Sequence, residues 1–483
     1  MTKYKFFGFI LAILPAITLA GNNGYSTAPH LSGEKLAIFW IIPFIGILLS
    51  IAVFPLVLPR FWHHHFGKIS LFWSILFIFP FLLKEGWKIT LYELLHVGLL
   101  EYLPFIILLL ALFTISGGVR LTGSLVGTPM LNTLIIAVGT VLASWMGTTG
   151  AAMLLIRPLL RANAWRRKKV HIIIFFIFLV ANIGGSLTPL GDPPLFLGFL
   201  QGVDFFWTTT AMLKPMLFMV FCLLGIFFGL DTYYYDREMK PEIQNDNREK
   251  LGIEGSFNLL LILGVIGCVL LSGFWKPTMI IDDKLFPYSF DVFHVKVEIQ
   301  NLVRDCLLLG LTYVSWTITS RKIREANEYT WFPIIEVAKL FAGIFITIIP
   351  AIAILKSGAH GALASVVSSV STESGNPINY MYFWATGILS GFLDNAPTYL
   401  VFFNIAGGNP VSLMGEMSNT LLAISAGAVF MGAMTYIGNA PNFMVKSIVE
   451  ETGISMPSFF GYMTKYSIPI LLPLFILVSL IFF

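Results

Sequence analysis

The apolar run at residues 172–200 is interrupted near its middle by the segment Gly185-Ser-Leu-Thr-Pro-Leu-Gly-Asp-Pro-Pro-Leu-Phe196. Its glycines permit backbone conformations that other residues rarely adopt, and its three prolines cannot continue helical hydrogen bonding. A helix interrupted in this way exposes up to four N–H groups at one new end and four C=O groups at the other. The segment therefore predicts a helix that is broken at membrane depth.

The same pattern returns 247 residues later as Gly432-Ala-Met-Thr-Tyr-Ile-Gly-Asn-Ala-Pro-Asn-Phe443. At this offset five of the twelve positions are identical, and Asp192 is aligned with Asn439. The offset also aligns two earlier interruptions, Ser144-Trp-Met-Gly-Thr-Thr-Gly150 and Gly391-Phe-Leu-Asp-Asn-Ala-Pro397. The spacing from the earlier to the later interruption is 44 residues in both halves. We therefore predict an internal repeat, with copies at about 102–230 and 331–483.

The composition places the chain in a lipid bilayer. Hydrophobic residues make up 57% of the 483 positions and charged residues only 12%, and the mean hydropathy is +0.82. A soluble domain carries roughly twice that share of charge, so the soluble enzyme classes are excluded first. The net charge of +4 is too small to indicate a nucleic-acid partner. We predict an all-α polytopic membrane protein whose first partner is the bilayer.

About ten or eleven transmembrane helices are expected, because a span needs roughly 20 apolar residues. The plausible spans are 36–58, 69–83, 102–118, 172–200, 207–230, 257–274, 300–319, 331–355, 420–445 and 457–482. Residues 1–20 have the three parts of a signal peptide but could also be a retained first helix. The first half would then comprise 21–230 and the second half 257–483, joined by a polar linker at 231–256.

Lysine and arginine predict the sidedness, since short cytoplasmic loops carry the excess of them. The loops 59–68, 161–171, 231–256 and 321–330 are rich in these residues and are assigned to the cytoplasmic side of the inner membrane. The apolar stretch 124–160 must then enter and leave from inside, because Arg120 and Arg161 flank it. By the same logic 380–406 enters and leaves from outside. Both are predicted to be re-entrant hairpins, so the two repeats are inverted, an arrangement that is typical of secondary transporters.

Two carboxylates lie in the interruptions, Asp192 and Asp394. An acidic residue at membrane depth is a functional hypothesis by default because its burial is costly. A carboxyl group there can exchange a proton for a cation, and small oxygen donors around it suit a hard cation such as sodium. Asp394 would also cap a helix well in any context.

We expect the ion or substrate to be bound by residues of the four interruptions. They are Thr148, Asn182, Gly185, Ser186, Thr188, Gly191, Asp192, Asp394, Asn395, Thr398, Thr435, Gly438, Asn439 and Asn442, with Asp192 and Asp394 as the sodium ligands. No catalytic residues and no cofactor are expected beyond the transported sodium and protons. A competing reading, an intramembrane aspartyl protease, lacks its Gly-x-Gly-Asp motif, because the run here is Pro189-Leu-Gly-Asp192.

These segments resemble the ion transporter superfamily, which contains arsenite pumps, NhaD-type sodium/proton antiporters and citrate or dicarboxylate transporters. The resemblance is carried by Asn182–Pro194, Leu393–Thr398 and Gly432–Asn442, and the whole chain is most similar to the citrate-transport branch, often described as sodium:proton antiporters. The resemblance implies a homodimer with a scaffold domain and a transport domain that carries two opposed hairpins. It also implies alternating access by an elevator-like movement.

The chain departs from this superfamily at two places. Family members commonly have Asp-Asn at the first hairpin tip, where this chain has Gly147-Thr148, and the Ser-Asn-Thr signatures of dicarboxylate carriers are absent from both tips. No arginine lies in either break to bind a carboxylate in two hydrogen bonds. We therefore expect a sodium (cation)/proton antiporter, with a sodium- or proton-coupled citrate or dicarboxylate symporter as the alternative.

Overall fold

The computed structural model describes residues 28–238, 251–281 and 284–483. Helices account for 75% of the structure and strands for 4%, which confirms the all-α fold class. The predicted signal peptide or first helix at 1–20 lies outside the described residues, as do residues 239–250 of the predicted linker between the halves.

The first half consists of eight α-helices within the described residues. They are α1 (Ile42–Val57), α2 (Pro59–Val97), α3 (Leu103–Ser116), α4 (Pro129–Met146), α5 (Thr148–Ala162), α6 (Val170–Leu179), α7 (Pro193–Leu200) and α8 (Phe205–Tyr235). A π-helical turn, Gly98–Tyr102, joins α2 to α3, and a 3-10 turn, Ile183–Ser186, lies between α6 and α7.

The second half has the same kinds of element in shorter pieces. They are α9 (Phe257–Phe274), α10 (Ile299–Ile318), α11 (Arg321–Ala326), α12 (Phe332–Thr347), α13 (Ile349–Lys356), α14 (Ala364–Ser369), α15 (Asn379–Phe392), α16 (Asn395–Ile405), α17 (Pro410–Met414), α18 (Ser418–Met431), α19 (Ala440–Glu451), α20 (Phe459–Tyr462) and α21 (Ile468–Phe482). A 3-10 turn, Gly432–Met434, follows α18, and a π-helical turn, Met463–Ser467, joins α20 to α21.

Three pairs of short antiparallel strands lie in the connections. They are β1 (Arg120–Thr122) with β2 (Gly252–Glu254), β3 (Thr278–Ile281) with β4 (Lys284–Pro287), and β5 (Ser289–Val292) with β6 (Val295–Glu298). The first pair places Arg120 opposite Glu254, and their side chains form an ion pair at 3.2 Å. The strands β3 to β6 form two hairpins between α9 and α10 that the apolar periodicity did not predict.

Six continuous helical stretches of the described residues are long and apolar enough to cross a membrane, or seven if α12 and α13 count as one bent span. They are Ile38–Val57, Pro59–Ser116, Pro129–Met146, Phe205–Tyr235, Phe257–Phe274 and Phe459–Phe482. The expected ten or eleven spans exceed this number for three reasons. Some are divided, the expected spans 69–83 and 102–118 lie in the single stretch Pro59–Ser116, and the helix Ile299–Ile318 is not among the six. The apolar runs at 172–200 and 420–445 each consist of two short helices separated by an irregular break, as predicted.

Two boundaries differ from the prediction. Residues 59–68, expected to be a loop, form the first turns of α2, and the expected short span at 69–83 is part of that helix. The chain turns at Gly86, whose φ of 81° is a left-handed conformation that suits glycine, and then continues into the π-helical turn. The expected span at 331–355 bends by 41° near Ile348, two residues before Pro350, which lacks an N–H group.

Helical hairpins are present at both predicted positions, and each packs against the broken helix of the other repeat. That they are re-entrant stays a prediction. The first consists of α4 and α5 and turns at Gly147, while the second consists of α15 and α16. The returning arm α5 packs on α19, and the equivalent arm α16 packs on α7. Because each arm packs against the other repeat, the two hairpin tips and the two breaks meet at one place in the molecule. The inverted orientation and the side of each loop stay predictions.

A buried polar network fastens the base of the first hairpin to the neighbouring helices. Asp231 of α8 forms an ion pair with Arg166 at 2.6 Å and contacts His171 Nε2 at 2.7 Å, and all three side chains are buried. Asn132 of α4 donates to the second oxygen of Asp231 at 2.9 Å and exchanges two hydrogen bonds with Asn163 at the end of α5. Removal of one partner would leave a buried charge unpaired.

We therefore predict that Arg166→Met destabilises the protein by about 3–5 kcal/mol, because it leaves Asp231 buried without its main cation. The measurement is thermal unfolding of the purified chain in detergent, where the variant should melt well below the wild type. Arg321→Met is the matched control. Its ion pair with Glu325 has Arg321 91% exposed, so the change should cost no more than about 1 kcal/mol. Equal melting of Arg166→Met and wild type would contradict a stabilising network.

Candidate functional site

The first break is stabilised by a close backbone contact between two glycines and by the hydrogen bonds of one threonine. Between α6 and α7 the chain packs so closely that a Cβ on Gly191 would lie 2.2 Å from the carbonyl oxygen of Gly185. The Thr188 hydroxyl donates to the carbonyl oxygen of Ser144 in the first hairpin and accepts from the N–H of Leu190 at 3.2 Å. This threonine therefore fastens the break to the tip of its own hairpin.

The second break repeats these contacts at the predicted offset. A Cβ on Gly438 would lie 2.5 Å from the carbonyl oxygen of Gly432. Thr435 donates to the carbonyl oxygen of Gly391 at 2.6 Å and accepts from the N–H of Ile437 at 3.1 Å. Each of these atoms is the counterpart, 247 residues later, of one in the first break. The two breaks therefore form equivalent hydrogen bonds at aligned positions, while the bounds of the repeat, 102–230 and 331–483, stay a prediction.

Asp192 lies where the two breaks and the two hairpin tips meet. Its side chain is buried, and Oδ1 accepts hydrogen bonds from Thr148 Oγ1 at 3.2 Å and from Asn439 Nδ2 at 2.8 Å. Its other oxygen, Oδ2, accepts from Asn395 Nδ2 at 2.5 Å. One donor comes from the first hairpin tip, one from the second tip and one from the second break. All three donors are neutral, and no described lysine or arginine forms an ion pair with Asp192.

The partners of this carboxylate are related by the internal repeat. Asp192 and Asn439 are equivalent positions 247 residues apart, and they bond to each other. Thr148 and Asn395 are likewise equivalent, and both donate to Asp192. The carboxylate therefore lies where the two copies of the predicted repeat contact each other.

Asp394 occupies a different position from Asp192. It is the N-cap of α16, where Oδ1 accepts from the N–H of Ala396 at 3.1 Å, as the capping interpretation requires. The side chain is partly exposed and is within electrostatic range of Asp192. The Thr398 hydroxyl donates to the backbone carbonyl oxygen of Asp394 at 2.7 Å. It therefore stabilises the first turn of α16 and does not bind the carboxylate of Asp192 or of Asp394.

Asparagines connect the two breaks directly. Asn182 of the first break donates to Asn442 Oδ1 of the second at 2.7 Å, and Asn439 donates to the carbonyl oxygen of Ala181 at 3.1 Å. Asn442 in turn donates to the carbonyl oxygens of Gly432 and Thr435, both at 2.9 Å. These predicted residues therefore lie together at one junction.

Several oxygen atoms at this junction are buried and form no hydrogen bond. They are Asn182 Oδ1, Ser186 Oγ and Asn395 Oδ1. A Cβ on Gly432 would lie 3.1 Å from Asn182 Oδ1 and 3.7 Å from Asn395 Nδ2, so these two amides border the same small space. Buried polar atoms normally have partners, and unpaired amide and hydroxyl oxygens near a carboxylate suit a hard monovalent cation. The described residues contain no cluster of three or more His, Cys, Asp or Glu side chains, which a tightly held transition metal would favour.

The structure adds two residues that the sequence did not single out for this region. Ser144 accepts from Thr188 through its backbone and donates to the carbonyl oxygen of Gly184 through its hydroxyl. Glu101 lies buried in the π-helical turn, with Oε1 accepting from Gln201 at 3.1 Å and Oε2 without a hydrogen bond. Gln201 ends α7, the helix that Asp192 begins. Glu101 was missed because the predicted span began one residue after it, although an acid in the apolar run 98–118 was a usable signal.

Helices that are long and apolar enough to cross a bilayer, with two broken helices and two hairpins around a buried carboxylate, are typical of a multi-pass membrane transporter. A family profile described as "Putative citrate transport" matches residues 33–483, nearly the whole sequence. The chain belongs to this family, which confirms the resemblance read from the breaks. A search of curated proteins found no match to the chain.

The glycine contacts predict a sharp asymmetry among glycine substitutions. Gly191→Ala and Gly438→Ala each force a methyl group against a backbone oxygen, so both should lower stability by about 1–3 kcal/mol and disturb the site. Gly267→Ala in α9 is the matched control, because a Cβ there meets no atom within 4 Å and alanine is the better helix former. The measurement is thermal unfolding with transport activity on the same preparations. If all three variants behaved alike, the close packing of the breaks would be refuted.

Proposed function

We propose that the protein is a secondary transporter that exchanges sodium for protons, with Asp192 as the shared binding group. The observation that carries this proposal is the carboxylate itself, buried and bound by neutral donors alone. A buried carboxylate needs a compensating positive charge. A proton on Asp192 or a cation beside it would each supply that charge, but the two compete for the same oxygens. Alternation between them couples the two fluxes.

Sodium would be bound by Asp192 together with the unpaired oxygens of the junction. Asn182 Oδ1, Ser186 Oγ and Asn395 Oδ1 are buried and uncommitted, so a cation would not have to break hydrogen bonds to reach them. Asp394 adds negative potential from the hairpin tip, which favours a cation further. Each charge moved is worth about 2.3 kcal/mol per 100 mV, so the membrane potential and the proton gradient can drive the exchange.

A sodium- or proton-coupled citrate or dicarboxylate symporter is the second candidate, and the family description favours it. Two helices begin at the hairpin tips, α5 at Thr148 and α16 at Asn395, and helix N-termini attract anions. Against this candidate, the donors at Asp192 include no lysine or arginine that could offset several carboxylates. An anion would lie beside the negative charge of Asp192 unless a cation or proton were bound first.

The geometry disfavours an intramembrane aspartyl protease, and we propose no enzymatic activity. Such an enzyme needs two carboxyl groups that share one proton. In this protein the hydrogen bonds of Asp192 come from amides and a hydroxyl, and Oδ1 of Asp394 accepts from a backbone N–H.

The first test is Asp192→Asn in everted membrane vesicles, with sodium-dependent pH change as the measurement. Asparagine has nearly the same shape but exchanges no proton, so the pH change should fall to background while the protein still folds. Asp204→Asn is the control, because Asp204 is an exposed N-cap residue and asparagine caps equally well. Sodium-dependent activity that survives Asp192→Asn would rule out the proposed role.

Asp394→Asn separates the two roles of the hairpin-tip acid. Since asparagine preserves the N-cap, the variant should keep its melting temperature. If Asp394 contributes charge to the cation site, the apparent affinity for sodium should fall, which a sodium titration of the same vesicle assay measures. Unchanged sodium dependence would restrict Asp394 to capping.

A flux assay on proteoliposomes decides between the two transporter readings. Sodium, lithium and potassium are each supplied with and without labelled citrate or succinate, while internal pH is monitored. An antiporter should change internal pH on addition of sodium alone and accumulate no label. Accumulation of citrate under an inward sodium gradient, with no sodium-driven pH change in its absence, would establish the symporter instead.

A further inference from the structure

A second polar feature lies far from the buried carboxylate, at the end of α8. A cavity of about 390 Å³ is lined there by three cations, Arg167, Lys168 and Arg237, and by the aromatic side chains of Trp165 and Tyr233, with Glu238 at its edge. The loop between α5 and α6 supplies one wall, and the last turn of α8 with the residues after it supplies the other. The lysine and arginine distribution predicts that this end faces the cytoplasm.

The cations of this cavity are available to a ligand. Among the described residues, Arg167, Lys168 and Arg237 form no ion pair. The carboxylate at the edge, Glu238, is already engaged, because it accepts from the Lys168 N–H at 2.6 Å and lies 3.6 Å from Arg166 Nε. Arg237 stacks on Tyr233 at 3.4 Å from the ring centre, which fixes its guanidinium group beside the cavity.

The cavity holds more positive than negative charge. Its lining has three cations, Arg167, Lys168 and Arg237, and one carboxylate, Glu238, whose Oε1 accepts from the Lys168 N–H. The ligand that fits the three cations is an anion with several acceptor oxygens, and a phosphate group has this chemistry.

Two exposed glycines leave a strip of α8 without side chains between Phe221 and Tyr233, and we call this strip the Gly225–Gly229 furrow. Gly229 and Gly225 lie one and two turns before Tyr233 on the same face, and a Cβ on either would meet no atom within 4 Å. Phe221, one further turn away, is 70% exposed. With 31 residues, α8 is about 46 Å long, which exceeds a hydrocarbon core of about 30 Å, so its end can reach the headgroup layer.

We propose that this cavity is a phosphate-binding site that takes the headgroup of an anionic phospholipid, with an acyl chain lying along the Gly225–Gly229 furrow. Basic pockets between transmembrane helices on the cytoplasmic side are suited to such headgroups. The source of the phosphate can be tested, because free phosphate would use the cations but not the furrow. The proposal is independent of which ion the protein transports.

The experiment measures binding of phosphatidylglycerol to the delipidated full-length protein by native mass spectrometry, with phosphatidylcholine as the neutral lipid. The test variant combines Arg167→Gln, Lys168→Gln and Arg237→Gln. Each charge near a membrane surface is worth about fivefold in affinity, so the triple variant should bind on the order of 100-fold more weakly. The matched control combines Arg60→Gln, Arg321→Gln and Lys322→Gln, three exposed cations on the same predicted side that do not line the cavity. It should bind within a few-fold of the wild type.

Two further arms identify the source of the phosphate. Gly229→Leu fills the furrow, so it should weaken lipid binding and leave any stabilisation by inorganic phosphate unchanged. Inorganic phosphate that raises the melting temperature of the wild type, but not of the triple variant, would support the same site with a free anion. The triple variant is first melted in neutral detergent, and Arg237→Gln alone replaces it if it does not fold. The proposal is overturned if the cavity variant binds phosphatidylglycerol like the wild type, or if the control loses as much.

Discussion

The hydrogen bond between Asn439 and Asp192 is the interaction on which the centre of this molecule depends. It joins equivalent positions of the two repeats, with Asn439 Nδ2 2.8 Å from Asp192 Oδ1. Of these two side chains only Asp192 can carry a charge. If both positions were aspartate, two carboxylates would face each other at this distance and could not both be ionised. If both were asparagine, the junction would hold no charge. The Asp–Asn pair therefore leaves a single carboxylate at this contact, hydrogen-bonded to a donor that cannot titrate.

The same asymmetry is seen at the hairpin tips, where the chain departs from a symmetric pattern. Gly147 in the first tip is the counterpart of Asp394 in the second. The residues that follow them, Thr148 and Asn395, have both kept a donor for Asp192. The backbone architecture is thus repeated while the charges are not. We conclude that the backbone of the site is repeated in the two halves, whereas its two acidic side chains, Asp192 and Asp394, have no acidic counterparts.

Much of this arrangement could be read from the sequence because backbone breaks leave strong signals. Proline and glycine at 185–194 and the equal spacing of 44 residues predicted both breaks, since few other sequences are compatible with such backbone. The distribution of lysine and arginine around 124–160 and 380–406 predicted the hairpins. The prediction failed where the signal was only apolar length. Residues 59–68 read as a loop because histidines and basic residues dilute their hydropathy, yet they are helical. The bend at Ile348 and the strands β3 to β6 depend on packing that a single sequence does not display.

The sequence predicted which residues surround Asp192, but it did not predict that three of them donate to its carboxylate. The sequence placed Thr148, Asn395 and Asn439 in the interruptions, and the structure shows that all three donate to one carboxylate. Spacing along the chain does not show which donors reach the carboxylate, because each hairpin arm packs against a helix of the other repeat. The arm α5 packs on α19, and α16 packs on α7. The cross-bonds of Asn182 and Asn439 then join the breaks to each other. Because one carboxylate receives bonds from both tips and from the opposite break, a change in its charge acts on all four elements together. Any movement that carries this group across the membrane must move them as one unit or break these bonds.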